Sequence, residues 1–281
     1  MNNHWRIIDS GPGPAGWNMA LDEALLIMAA NGLCPPTLRF FSWETPSLSI
    51  GSFQKAELLN LRLIKEKSVP LVRRPTGGRA VLHDRELTYS VTCQIPSPFF
   101  PPDLMGSYKK IGSCFLRGLK SVSVEADLLP VSKNPDRKPS QESGRNPLCF
   151  SSPSWYEVLV GGKKLIGSAQ RRIRGSFLQQ GSLLMELDLA GLVSLMEFAE
   201  DTARQAACAA LASKMTALSE LGCPITAKEL KGSLVKGFEA EMGVALIPGE
   251  PTQEEIALAE RLLAEKYSRD EWNLHRETQK A

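Results

Sequence analysis

A cysteine and a lysine separated by a short hairpin pattern are the residues of this sequence best suited to chemistry. After Cys149, residues 155–160 predict a strand and Gly161-Gly162 a two-residue turn. Residues 165–169, directly after Lys164, predict the returning strand. A hairpin of this kind brings Lys164 back toward the start of the first strand. A thiol is nucleophilic as its thiolate, and a nearby ammonium lowers the thiol pKa from about 8.5. The pair therefore suits acyl transfer.

The same cysteine also has a structural interpretation. On spacing alone, a single cysteine is more often a small buried apolar residue than a nucleophile. The other cysteines lie in apolar or helical contexts and form no C-x-x-C pair, so neither a zinc site nor a disulfide framework is predicted: Cys34, Cys93, Cys114, Cys208 and Cys223. The sequence has 3 histidines and no H-E-x-x-H motif, and we predict no metal.

A second block, Arg-Arg-Pro-Thr-Gly-Gly-Arg at 73–79, contains two adjacent glycines. Because they lack Cβ atoms, Gly77 and Gly78 let backbone amides approach a ligand closely, although such a pair is most often only a turn. Neither a phosphate-loop motif nor a dinucleotide fingerprint occurs. Downstream, His83 is either a general base or, as is commoner for a lone histidine, a hydrogen-bonded residue that shapes a pocket. We expect the second role.

Together the two blocks resemble the protein-lipoylation family of lipoate-protein ligases and octanoyltransferases. The resemblance runs from about Trp5 to Met185 and is strongest to the cysteine-dependent octanoyltransferases, because Cys-Phe precedes Pro-Ser-Trp-Tyr-Glu at 153–157 and Gly-Ser-Ala-Gln follows at 167–170. It implies transfer of octanoate from octanoyl acyl carrier protein to the lipoyl-domain lysine of the glycine cleavage H protein, or of another lipoyl domain. It implies no cofactor.

The resemblance also implies roles for individual residues. Cys149 would be the acyl-accepting nucleophile, and Lys164 the residue that lowers its pKa. The implied substrate-binding residues come from both blocks: Arg74, Thr76, Gly77, Gly78, Arg79, His83, Gly167, Ser168 and Ala169. We take the Gly77-Gly78 and Gly167-Ser168 segments as turns whose amides are candidate oxyanion donors. One departure is Gln180, which stands in Gln-Gln-Gly where this branch usually has Gln-His-Gly.

Three other functions stay open. An ATP-dependent lipoate-protein ligase would need no cysteine, and Arg79 stands where ligases commonly have a third glycine. An amidotransferase between lipoyl domains would also use a cysteine, and only the context of Cys-Phe and Pro-Ser-Trp-Tyr-Glu separates it from the octanoyltransferase. A non-catalytic carrier-binding module is disfavoured by the intact pair of Cys149 and Lys164.

Composition is that of an ordinary globular protein. The 281 residues are 43% hydrophobic and 23% charged with a net charge of +2, which predicts neither a nucleic-acid nor a membrane surface as the main partner. The apolar run at 24–30 is too short to span a bilayer, and the N-terminal residues lack a leader pattern, so we expect a cytoplasmic protein. Arg171, Arg172 and Arg174 either attract acidic carriers or form a solvated strand end.

The predicted fold is α/β or α+β, with a mixed, largely antiparallel sheet flanked by helices, and the resemblance specifies the biotin/lipoate-protein ligase-like catalytic fold. Strands are predicted at 5–8, 37–43, 48–50, 69–72 and 87–95, and helices at 17–30, with Asn18 as cap, at 61–66 and at 105–122. We expect one catalytic domain over 1–281. Its sheet-containing core would end near 190, and a helical segment over about 191–281, with helices at 189–217, 226–241 and 252–267, would pack on it. Residues 128–148 predict a long loop, either a lid or a disordered insertion.

Overall fold

The computed structural model of the chain describes residues 4–129 and 157–276. Cys149, the aromatic pair at 155–156 and nearly all of the predicted loop lie outside these ranges. The strands are β1 (His4–Gly13), β2 (Thr37–Trp43), β3 (Ser47–Ile50), β4 (Leu71–Arg73), β5 (Val81–His83), β6 (Glu86–Gln94), β7 (Asp127–Leu128), β8 (Val158–Val160), β9 (Lys163–Ile173), β10 (Ser176–Leu184) and β11 (Ala245–Pro248). The helices are α1 (Ala15–Ala30), α2 (Leu61–Glu66), α3 (Leu104–Lys120), α4 (Leu189–Ser194), α5 (Asp201–Ala212), α6 (Ala227–Met242), α7 (Gln253–Leu262), which a π-helical turn continues, and α8 (Asp270–Asn273).

The main sheet has 8 strands in the order β11-β1-β2-β6-β10-β9-β8-β7. Within this sheet, β1 pairs in parallel with β11 and β2. The remaining neighbours in the order just given, from β2 across to β7, are all antiparallel. A second sheet of 3 strands has the order β4-β3-β5. The prediction of a mixed, largely antiparallel sheet flanked by helices is confirmed.

Helix α3 covers one face of the main sheet because its apolar side chains repeat at helical spacing. Ile111, Phe115 and Leu119 are all buried in the core there. Helix α6 packs against α3 at two glycines, since a Cβ on Gly237 would lie only 2.5 Å from the backbone nitrogen of Gly118. The contact between these backbones leaves no room for larger side chains.

Helix α1 lies on the opposite face. Ser90 of β6 donates to Asp22 of α1 at 2.8 Å, while its neighbour Tyr89 packs against Phe115 of α3 in a tilted arrangement with ring centroids 4.4 Å apart. Successive residues of a strand point to opposite faces, so the sheet lies between the two helices. The main sheet is therefore a middle layer, and its α1 face carries most of the buried polar side chains described below.

The start of α1 differs from the prediction. The helix begins at Ala15 after Pro14, and the N–H of Asn18 already donates to the Pro14 carbonyl at 3.0 Å. The prediction of Asn18 as cap is therefore wrong. Its buried amide instead donates to the carbonyls of Gly13 and Ser42 at 3.1 and 2.9 Å, and so fixes the helix to the ends of β1 and β2.

The C-terminal segment is not purely helical, because β11 joins the main sheet beside β1. Its end is also tied to the second sheet, where the indole of Trp272 donates to the Arg73 carbonyl at 2.8 Å and the Arg73 guanidinium donates to the carbonyls of Trp272 and Leu274. That the whole chain forms one catalytic domain remains our proposal, supported by this shared sheet. Across the two described ranges, no helix combines the length and apolarity needed to cross a membrane.

Candidate active site

The predicted hairpin is present and carries Lys164 into the interior. Strands β8 and β9 are antiparallel, and Gly161 and Gly162 form the turn with φ angles of 56° and 78°, a region that favours glycine. A register shift between Val158 and Leu159 places Leu159 opposite Lys164. The Lys164 residue is only 5% exposed.

The ammonium of Lys164 forms a hydrogen-bonded ion pair with the carboxylate of Glu157. Both side chains are buried, with 6% and 4% exposed. The backbone of Lys164 is fixed as well, since its N–H donates to the Lys214 carbonyl at 2.7 Å and its carbonyl accepts from the Thr216 N–H at 3.0 Å. A buried ammonium needs an opposite charge nearby, and Glu157 supplies it.

Glu157 is a site residue that our sequence analysis did not single out. Its only signal was its place at the end of the Pro-Ser-Trp-Tyr-Glu motif. The predicted partner of Lys164, Cys149, lies outside the described residues. The contact between Cys149 and Lys164 therefore stays a prediction.

The Gly77-Gly78 turn lies between the second sheet and the main sheet. A Cβ on Gly51, just after β3, would lie 2.0 Å from the Gly78 carbonyl oxygen, so the turn packs directly on that backbone. On its other side, a Cβ on Gly78 would lie 3.8 Å from the Cβ of Ala169 in β9. The structure thus brings the two sequence blocks together at Gly78 and Ala169.

Arg74 shapes this turn from within. Its buried guanidinium donates to the Gly77 carbonyl at 2.8 and 3.1 Å, and to the Arg79 carbonyl at 2.8 Å. It also donates to the Ser49 hydroxyl at 2.9 Å. Because one rigid, planar group spans both ends of the turn, the two backbone carbonyls are held in a fixed relation.

His83 lies behind the turn with both ring nitrogens engaged. Nδ1 lies 2.6 Å from a carboxylate oxygen of Glu86, Nε2 lies 2.6 Å from the Ser49 hydroxyl, and the ring stacks on Trp43 at 4.0 Å. Burial opposes ionisation of Glu86, but the interactions with His83 and the hydrogen bonds from Thr88 and Ser182 together outweigh it and lower the pKa of that carboxyl. This geometry agrees with a pocket-shaping role for His83, which stays a prediction.

The predicted turn at Gly167-Ser168 is wrong, because both residues lie inside β9 and pair with β10. The hydroxyl of Ser168 lies 2.7 Å from the Tyr89 hydroxyl on the α3 face of the sheet. Ala169, the next residue, lies near Gly78 on the α1 face. Of these strand residues, Ala169 is the one whose side chain the structure places at the glycine turn. A substrate-binding role for Gly167 or Ser168 stays a prediction. In this geometry their backbone atoms, rather than side chains, would contact the substrate.

Two of the three arginines proposed as carrier-docking charges make contacts within the chain. Arg171 forms an ion pair with the buried carboxylate of Glu23 at 2.7 Å. Arg172 donates to the Asp103 carbonyl at 2.7 Å. These contacts favour the structural interpretation of both side chains.

A buried polar network lies under the turn on the α1 face. The Thr76 hydroxyl donates to the side-chain carbonyl of Gln180 at 2.7 Å, and the Gln180 amide donates to Asp22 at 2.7 Å. Asp22 in turn pairs with Arg39 at 2.8 Å, both side chains being 0% exposed. Burial lowers the pKa of Arg39, and the Asp22 carboxylate opposes that effect. Our sequence analysis did not identify Asp22 or Arg39.

Comparison with known proteins establishes the family of this chain. The chain belongs to the lipoyl protein ligase A/B catalytic domain family, whose model matches residues 14–239. Among curated proteins, octanoyltransferase LipM of Kyrpidia tusciae is 42% identical over 273 residues, covering 96% of this chain and 98% of that protein. The LipM proteins of Geobacillus kaustophilus and Bacillus subtilis are 42% and 38% identical, each covering 97% of this chain and 98% of the relative. The predicted family is confirmed.

Solved structures agree on the fold. A chain from the archaeal lipoylation system of Thermoplasma acidophilum, a bi-partite lipoate protein ligase and its E2 lipoyl domain, superposes with a TM-score of 0.82 at 23% identity, covering 99% of both chains. A lipoate-protein ligase A bound with ATP gives 0.76 at 24% identity, covering 99% of this chain and 100% of that one. The predicted biotin/lipoate-protein ligase-like fold is confirmed.

Proposed function

We propose that Cys149 and Lys164 perform octanoyl transfer in this chain, with octanoyl acyl carrier protein as donor and the lipoyl-domain lysine of the glycine cleavage H protein as acceptor. The chain is an octanoyltransferase of lipoate biosynthesis, as its full-length relatives are named. The observation that carries the residue assignment is the buried ammonium of Lys164, held by Glu157 on the hairpin that follows Cys149. An ammonium near a cysteine stabilises its thiolate.

The chemistry needs two exchanges at the octanoyl carbonyl. In the first, the Cys149 thiolate forms a new carbon–sulfur bond, the bond to the carrier breaks, and the carrier thiol leaves with a proton. In the second, the neutral acceptor lysine amine forms an amide bond, the bond to Cys149 breaks to restore its thiolate, and the amine proton passes to solvent, which balances the proton that the carrier took up in the first step. The first step exchanges one thioester for another and the second yields a more stable amide, so neither ATP nor a cofactor is needed.

The described residues support a division of labour in this reaction. Lys164 would stabilise the thiolate of Cys149 and the negative charge that develops on the carbonyl oxygen. The turn residues Arg74, Thr76, Gly77, Gly78 and Arg79, with His83 behind them and Ala169 opposite, would hold the acyl group. Backbone amides of the glycine turn are the candidate oxyanion donors, because their approach to a substrate is unobstructed by a Cβ.

The test is transfer with purified components. Octanoyl acyl carrier protein and the H protein should give octanoylated H protein without ATP, and free octanoate or lipoate with ATP should give little product. Donation from an already octanoylated lipoyl domain at a higher rate than from the carrier protein would support the amidotransferase. Transfer that depends on ATP and survives loss of Cys149 would support the ligase.

In keeping with this chemistry, we place the protein in the cytoplasm.

Gly77 offers a way to detect substrate at the turn. Its φ is not positive and, apart from its chain neighbours, a Cβ added there would meet no atom of the described residues within 4 Å. Gly77→Ala should therefore fold like the wild type but slow octanoyl transfer by about tenfold or more, because the methyl group occupies space that the substrate needs. The measurements are the melting temperature and the transfer rate.

Two matched variants control this experiment. Gly232→Ala also places a methyl group in open space, but on the exposed side of α6, so it should keep the wild-type rate and stabilise the protein by about 0.5–1 kcal/mol. Gly51→Ala should lower both stability and rate, since its Cβ would collide with the Gly78 carbonyl. A wild-type rate for Gly77→Ala would show that the substrate does not contact this turn.

A further inference from the structure

We infer that Gln180 is a positioning residue, which sets the place of the Gly77-Gly78 turn by joining Thr76 to the buried pair of Asp22 and Arg39. The inference rests on the proposed function, because the position of the turn matters to the reaction only if the turn holds the acyl group. Gln180 itself need not touch the substrate. It lies in β10 of the main sheet and is 6% exposed.

The orientation of the Gln180 amide is dictated by its two partners. An ionised carboxylate such as Asp22 can only accept hydrogen bonds, so the amide nitrogen must face it, at 2.7 Å. The amide oxygen is then left to accept from the Thr76 hydroxyl, also at 2.7 Å. Because Thr76 is 0% exposed, bulk water cannot take the place of Gln180 as the hydrogen-bond partner of this hydroxyl.

The far end of this link is rigid. Asp22 accepts from Arg39 and from Ser90, each at 2.8 Å. Arg39 also donates to Asn18 and Ser10, each at 2.8 Å. The network therefore connects α1 with strands β1, β2 and β6, and its buried donors and acceptors satisfy one another. The hydrogen bonds from Thr76 to Gln180 and from Gln180 to Asp22 therefore attach the turn to a network that is itself held by the main sheet.

The near end is the turn itself, which is also held from the second sheet. Arg74 connects it to Ser49 of β3, and the Ser52 N–H donates to the Thr76 carbonyl at 2.9 Å. Gln180 adds a connection to β10 of the main sheet. Its pairing partner on the neighbouring strand β9 is Ala169, the residue that lies near Gly78. The link thereby fixes the position of the turn against β9.

The two partners of Gln180 require one donor and one acceptor at this position. A neutral histidine has one ring nitrogen that donates and one that accepts, so it can serve the same two partners. Leucine can serve neither. Glutamate can accept from Thr76 but sets a second carboxylate against Asp22. Activity should therefore fall in the order Gln, His, Leu, Glu at position 180.

The experiment compares Gln180→His, Gln180→Leu and Gln180→Glu in octanoyl transfer, with kcat and KM for the carrier substrate and the melting temperature measured for each. We expect Gln180→Leu to lose about tenfold or more in kcat/KM and Gln180→His to recover most of that loss. A double-mutant cycle supplies a readout that general destabilisation would not move. If Gln180 acts through Thr76, then Thr76→Val combined with Gln180→Leu should cost no more activity than the worse single variant.

Each result bears on one claim. Wild-type protein that neither transfers octanoate nor forms an acyl-enzyme would refute the proposed function. Wild-type protein that transfers, together with a Gln180→Leu variant of unchanged kcat and KM, would refute the positioning role alone. So would a histidine variant no better than the leucine variant, or additive losses in the cycle. If Gln180→Leu does not fold, the histidine and glutamate variants still test the predicted order.

Discussion

Cys149→Ala should lose octanoyl transfer by about a thousandfold or more, the scale seen when a covalent nucleophile is removed. Alanine cannot form the thioester, so both steps of the proposed reaction stop. The measurement is the rate of H-protein octanoylation from octanoyl acyl carrier protein. Cys208→Ala, which changes a half-buried thiol in α5, is the matched control and should keep the wild-type rate.

The three buried thiols among the described residues are poor substitutes for Cys149. Burial raises the pKa of both Cys34 and Cys93 to about 11, and raises that of Cys114 further. These thiols therefore stay protonated near neutral pH, and a thiol in that state is a weak nucleophile. A Cys149→Ala variant that still transfers octanoate at the wild-type rate would show that the nucleophile assignment is wrong.

Lys164→Met should fold but lose most of its activity, because the variant keeps an apolar stem of similar length and removes the charge. An opposite charge within about 4–6 Å typically lowers a pKa by about 1–3 units. The titration midpoint of Cys149 should therefore move upward by about that amount, and alkylation at pH 7 should slow accordingly. The measurement is the rate of iodoacetamide modification against pH, followed by peptide mass spectrometry, with the half-buried Cys208 and Cys223 replaced.

A second variant controls for the loss of stability that Lys164→Met alone would cause. Lys164→Met alone leaves the buried carboxylate of Glu157 without its ammonium, and breaking a buried pair typically costs about 3–5 kcal/mol. Lys164→Met with Glu157→Gln removes both charges and should recover part of that stability while the Cys149 midpoint stays high. An unchanged midpoint in either folded variant would restrict Lys164 to substrate binding or oxyanion stabilisation.

Local patterns predicted the elements that depend on local chemistry. The Gly161-Gly162 turn and the helix at 61–66 lie where the sequence placed them, and the helix predicted at 105–122 is α3, whose ends differ by one or two residues. Strand β10 was missed because all nine of its residues are buried, so it shows no alternation of apolar and polar side chains. Strand β11 was missed because its four residues lie between helices. The turn predicted at Gly167-Ser168 failed because pairing with β10 continues the strand through the glycine.

The site was predicted to the extent that it follows motifs. The sequence indicated that Arg74, the two glycines after it and Ala169 belong to one site, and the structure brings them together. It could not indicate that Gln180 links Thr76 to Asp22, because these residues are distant in the chain and meet only when α1, β10 and the turn pack on one another. Nor does any local pattern pair Arg39 with Asp22.

The intact mass of the protein after incubation with octanoyl acyl carrier protein, with and without ATP, tests the acyl-enzyme most directly. We predict the addition of one octanoyl group without ATP, its removal by hydroxylamine, and its absence from Cys149→Ala. Unmodified wild-type protein, together with H-protein octanoylation that requires ATP and free octanoate, would contradict the proposed mechanism.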